Sequence, residues 1–137
     1  MRPLLLDTCA VIWIAENDPI APNVRAAMKA AFTSDIPVSV SPMSAWEIGM
    51  LVARGRLTLL MRPQQWFARL LQTPGIELAE MTPDILMSSS FLPGDPPRDP
   101  ADRIIAATAR EHGCTLITRD KLLLDYGGRG HLSVMAC

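Results

Sequence analysis

The sequence predicts an α/β fold, a three-layer α/β/α sandwich around a mainly parallel sheet of about five strands. Three observations lead there. Short apolar runs of strand length alternate with longer helix-length segments along the whole chain, the order that builds parallel sheets. The first run, LLL at 4–6, has no polar alternation, as befits a strand buried on both faces. Pro and Gly punctuate the ends of the longer segments, where helices start and stop. Right-handed crossovers then place successive helices on either face of the sheet. At 137 residues, with no internal repeat or low-complexity tract, the chain reads as one domain spanning 1–137.

The elements follow in order. Residues 3–7 form a short buried strand and 9–16, apolar almost all round, a short buried helix. NDPIAPN at 17–23 is a turn, 24–32 a second helix, and 38–41 a second strand. Ser41 is suited to cap the next helix, with Pro42 at its first position, Arg54 in its last turn and Gly55 just beyond. Residues 56–61 are ambiguous between loop and helical extension. A helix over 63–72 ends at Thr73-Pro74-Gly75, a strand covers 76–81, and a helix covers 83–91. PGDPPRDP at 93–100 is too Pro-rich for regular structure. Asp99 caps a helix over 100–112, closed by Gly113. Then come a strand at 115–118, a helical turn at 121–124, a glycine turn GGRG at 127–130 and a last strand at 132–135.

Composition removes several function classes. No apolar run reaches the roughly 18 residues of a membrane span. Asp7 interrupts the apolar N-terminal stretch and no small-residue cleavage site follows cleanly, so a secretory signal is rejected. Cys9, Cys114 and Cys137 are odd in number and form no C-x-x-C pair, which argues against a disulfide framework or zinc site and for a reducing, cytoplasmic setting. Cys9 and Cys114 read as small core fillers. His112 and His131 lack metal-pair spacing, and His112 suits a helix end. Net charge is −1, against a broad nucleic-acid surface. The cations, however, are eleven Arg and two Lys, and Arg favours bidentate phosphate contacts.

The chemistry sits in four acids: Asp7, Glu47, Asp102 and Asp120. Singly, Asp7 and Asp120 read as helix caps, and Asp102 as an acid favoured in a first helical turn. Thr8 could take over the cap and leave Asp7 free. Glu47 is harder to dismiss. The helix start at Ser41 puts it in the interior, beside Met43, Met50 and Leu51. A carboxylate there needs a partner: an ion pair with Arg54 or another arginine, or a metal. Ser44-x-x-Glu47 also matches a capping box. Jointly, the three aspartates fall at carboxyl ends of strands or adjoining helix starts, the edge where open α/β sheets build sites. Mutually repelling carboxylates collected in one place point to a hard divalent cation. No Ser-His-Asp or Cys-His set suggests covalent catalysis.

On LLLDTCAVIW (4–13), VSVSPMSAWEIGMLVARGRL (38–57) and DPADRIIAATAREHGCTLITRD (99–120), the chain resembles the PIN-domain ribonucleases, and among them the VapC-type toxins of toxin–antitoxin pairs. The resemblance implies a PIN-like parallel sheet of about five strands, and Asp7, Glu47, Asp102 and Asp120 as catalytic metal ligands. Thr118 is implied as a supporting polar group. Asp99 is the outer acid of the motif, with its contact to metal left open. Arg103 is left between contacting phosphate and pairing with a carboxylate. Also implied are Mg2+ dependence with Mn2+ as substitute, an RNA substrate, a small antitoxin and a homodimer. Two alternatives stand. One is a phosphotransfer or phosphatase domain, although a dehalogenase-like phosphatase would need Asp where Cys9 stands. The other is a non-catalytic interaction module whose acids are all caps and whose apolar stretch 50–61 is a partner surface.

Overall fold

The computed structural model describes residues 1–137. Five strands, β1 (Leu4–Leu6), β2 (Val38–Val40), β3 (Ile76–Leu78), β4 (Thr115–Thr118) and β5 (Val134–Ala136), form one sheet in the order β3-β2-β1-β4-β5. Every pairing is parallel. Seven helices complete the chain: α1 (Thr8–Ala15), α2 (Pro22–Thr33), α3 (Pro42–Ala53), α4 (Pro63–Leu71), α5 (Pro83–Ser88), α6 (Pro100–His112) and α7 (Lys121–Gly128).

The central strand shows why the layers form. Leu4, Leu5 and Leu6 are all essentially without solvent exposure. Alternation along the strand sends them to opposite faces. Leu4 and Leu6 join a core with Val11, Val24, Ile48, Trp66 and Leu70, drawn from α1 to α4. Leu5 joins a second core with Ile105, Ala109, Leu123 and Tyr126 from α6 and α7. The helices are therefore grouped, not alternated as expected: α1 to α4 cover one face, α6 and α7 the other. The grouping follows from the strand order. The chain steps outward through β1, β2 and β3, then returns to the other side of β1 for β4 and β5. The direction of winding reverses between β1 and β4, and the carboxyl ends of those two strands open a crevice.

Several boundaries differ from expectation. Helix α7 runs through Gly127 and Gly128, where a glycine turn was expected, because Leu123 and Tyr126, both fully buried, seat its whole length on the core. A Cβ at Gly127 would collide with the Val134 side chain and the Leu132 carbonyl, so glycine here allows α7 to approach β5 closely. Strand β5 consequently lies further along than 132–135, and β3 and α5 are shorter than expected. Residues 56–61 are irregular, with Leu60 fully exposed. Cys114 is a core filler, but Cys9 is exposed on α1, which is only half-covered. No helix is long and apolar enough to cross a membrane. Caps at Ser41 and Asp99 and left-handed residues at Gly55 and Gly113 stand where expected.

Candidate active site

Asp7 leaves the carboxyl end of β1 and starts α1. Its Oδ1 accepts the Ala10 N–H at 2.8 Å, so Asp7 itself is the cap, as its position suggested, and Thr8 does not take over that role. Its Oδ2 accepts the Thr118 hydroxyl at the end of the neighbouring strand β4. The side chain is only 5% exposed. Burial raises its pKa, the Thr118 and Ala10 hydrogen bonds lower it, and the Asp120 charge raises it again. Thr118 is fully buried and ties two acids together, since its Oγ1 also accepts the Asp120 N–H at 3.0 Å. Asp120 caps α7, with Oδ1 accepting from Leu122 N and Leu123 N at 2.9 and 3.1 Å.

Glu47 comes from α3, which packs against α1, α4 and α6 and so reaches across the crevice. Neither structural role expected for it holds. Ser41 is the helix cap, and the carboxylate takes its hydrogen bond from Thr8 at 2.6 Å rather than from Arg54. Burial raises the Glu47 pKa, the Thr8 bond lowers it, and the charges of Asp99 and Asp7 raise it. Asp102 lies in the first turn of α6, its backbone N–H held by the Asp99 carboxylate at 3.0 Å. Burial, then the charges of Asp99, Asp120, Glu47 and Asp7, push its carboxyl up from the ordinary range to about 7.

Asp7, Glu47, Asp102 and Asp120 thus occupy one edge, where the charges of neighbouring acids act on Asp7, Glu47 and Asp102, with Asp99 exposed on the rim. No cation is among the causes that shift Asp7, Glu47 or Asp102. All the donors are hard oxygens, the set that suits Mg2+ or Mn2+. No three of them converge tightly enough to form a closed metal-holding group. A cavity of about 550 Å³ beside Phe91 and Arg110 is lined by other residues.

A family model for the PIN domain matches residues 4–128. The chain belongs to the PIN-domain family. Ribonuclease VapC22 of Mycobacterium tuberculosis is 33% identical to this PIN domain over 124 residues, 90% of this chain and 91% of the relative. Among solved structures, VapBC2 from Rickettsia felis bound to a promoter DNA fragment superposes with a TM-score of 0.69 at 13% identity, covering 97% of both chains. A toxin–antitoxin complex from Klebsiella pneumoniae gives 0.61 at 21% identity, covering 96% of this chain and 95% of that one. These likenesses extend to the fold of the whole chain.

The arginines of this PIN domain sort themselves by what they hold. Arg103 fastens the proline loop, its Nε donating to Pro97 O at 2.7 Å. Tyr126 Oη secures the same loop through Pro93 O at 2.5 Å. Arg119 donates to Cys137 O at 2.7 Å and lies 3.6 Å over the Trp13 ring. Arg98, in the same loop as Asp99, is exposed. Both histidines are occupied elsewhere, His112 with Glu80 O at 2.9 Å and His131 stacked on Tyr126. Sequence reasoning missed Thr8 and Ser44 as site residues. Their only signal was adjacency: Thr8 follows Asp7, and Ser44 stands one turn before Glu47.

Proposed function

We propose that this chain is a single-domain, metal-dependent endoribonuclease, the toxin of a toxin–antitoxin pair, acting in the cytoplasm on RNA. The observation that carries the reading is the convergence of Asp7, Glu47, Asp102 and Asp120, from four separate elements, on the crevice between β1 and β4. Caps that follow parallel strands share this edge by topology, but Glu47 is no cap and reaches the same crevice from the interior of α3. The 33% identity to a protein named as a ribonuclease supports RNA as substrate. The likeness to chains solved within toxin–antitoxin complexes supports a small antitoxin as partner. A homodimer belongs to the same reading.

Asp7, Glu47, Asp102 and Asp120 would hold Mg2+, or Mn2+ in its place. Such an ion, when bound, neutralises phosphate charge and acidifies water for attack on phosphorus. The protein's own part is preorganisation. Thr118 fixes Asp7 against Asp120, Thr8 fixes Glu47, and the Asp99 cap fixes the start of α6 beneath Asp102. The exposed rim at Asp99 leaves room for a polymer, and Arg98, next to it in the chain, is exposed.

RNA cleavage by the purified chain, wild type against Asp7→Asn, with Mn2+ and with chelator, tests the reading. Asn keeps the Oδ1 that caps α1 and removes the charge. Cleavage by the wild type only with metal, and none by the variant, is the expected result. Full activity of Asp7→Asn, or cleavage in chelator, would overturn it.

A further inference from the structure

Thr8 lies at the first position of α1, and Ser44 one turn before Glu47 on α3; both are buried, at 6% and 0% exposure. The Thr8 Oγ1 stands 2.6 Å from Glu47 Oε1 and 2.9 Å from Ser44 Oγ. A threonine hydroxyl has a single proton. That proton goes to the carboxylate, at a separation short enough for a charge-assisted O–H···O bond. The Ser44 hydroxyl must then donate to Thr8, which gives a one-way chain from Ser44 through Thr8 to Glu47. Nothing in helix packing requires this chain, because apolar residues of the same size would fill the space.

Its position supplies the reason. Thr8 is bonded directly to Asp7, whose own carboxylate is clamped by Ala10 N and Thr118. A contact from Thr8 to Glu47 therefore fixes the α3 acid relative to the strand-end acid. Glu47 would otherwise sample several rotamers from the middle of α3.

We infer that Thr8, backed by Ser44, is a positioning residue that sets the spacing of Glu47 from Asp7, so that both carboxylates serve one divalent cation. This rests on the metal-dependent reading above. Groups that orient metal ligands typically account for about 10–100-fold in metal affinity, and Thr8 acts at that level without touching the ion or the substrate.

The test is Mn2+ binding by titration calorimetry on the full chain, comparing wild type, Thr8→Ser, Thr8→Val and Ser44→Ala, with circular dichroism to establish folding. Thr8→Val should bind Mn2+ about 10–100-fold more weakly. Thr8→Ser, which keeps the hydroxyl, should stay close to wild type, and Ser44→Ala should fall between. In cleavage assays the Thr8→Val defect should shrink as Mn2+ is raised, which loss of a reacting group would not allow. A folded Thr8→Val with wild-type Mn2+ affinity overturns the inference. Should Thr8→Val not fold, unchanged affinity in Ser44→Ala overturns it instead. Wild type that binds no Mn2+ overturns the metal-dependent reading itself, and so is distinguishable from failure of the Thr8 assignment alone.

Discussion

Replacing Asp102 by Asn should stabilise the metal-free protein while destroying its activity, and the gain should depend on pH. The carboxyl is pushed from 3.8 to about 7 by burial and by the neighbouring acids. A group whose pKa is raised on folding supports the native state below its unfolded value and loses that support as pH climbs through its folded value. Wild-type stability without metal should therefore fall between about pH 4 and pH 7 on this account. At about 1.36 kcal/mol per unit the full shift would correspond to roughly 4 kcal/mol. Asp102 is partly open to solvent, and screening reduces this to on the order of 1–2 kcal/mol. Asn relieves that repulsion but forfeits the attraction of an acid to the start of α6, about 0.3–1 kcal/mol. The balance still favours Asn at high pH, by about 1 kcal/mol, or a rise in Tm of about 2–6 °C for a domain of this size. The assay is thermal melting in chelator at pH 8 and pH 4.5, where most of the gain should vanish. Asp102→Asn melting at or below wild type at pH 8, or a gain equal at both values, would refute the reasoning.

Other perturbations report on different parts of the molecule. Saturating Mn2+ at about 100 times its Kd should stabilise the wild type by about 2.7 kcal/mol; the shift in Tm should be larger at pH 8 than at pH 5.5, where protons compete for Asp102, and absent in Asp7→Asn. Thr118→Val strands Asp7 and the Asp120 N–H together, and should cost about 1–3 kcal/mol in urea unfolding. Tyr126→Phe removes the bond to Pro93 and should cost about 1 kcal/mol, with faster limited proteolysis of loop 93–99 as the local readout. Arg119→Ala loses the Trp13 stacking and the Cys137 bond, and should lower Tm without changing Mn2+ affinity.

Much of this was legible in the sequence because local signals and tertiary structure agree. Pro42 and Gly55 bracket α3, and Pro100 and Gly113 bracket α6, since start and stop chemistry is local and survives packing. The leucines of β1 declare a doubly covered strand on their own. Convergence of the acids was readable from the rule that open sheets place sites at strand carboxyl ends. What escaped was set by contacts distant in sequence. Tyr126 and Leu123 hold α7 to twice the length that its glycines suggested. Cys9 looked apolar, but α1 is only half-covered, so the thiol is exposed. The bond from Thr8 to Glu47 joins residues 39 apart, and no pattern within α1 announces it. Cap or ligand had been posed as a choice for each aspartate. Asp7 and Asp120 cap helices and lie at one sheet edge, joined through the Thr118 hydroxyl, so a cap role does not exclude a part in the proposed site.

That sharing constrains how such a chain can decay. A descendant freed from selection for cleavage could accept almost any residue at position 47, where no helix end depends on the side chain. At positions 7 and 120 the helices still need a side-chain acceptor, which Asn or Ser supplies nearly as well as Asp. A relic of this site should therefore keep small polar residues at its aspartates after Glu47 has gone, looking half-intact while incapable of chemistry. On the proposed reading, glutamate at position 47 is a more telling mark of a working site than the aspartates around it, because no helix end needs it.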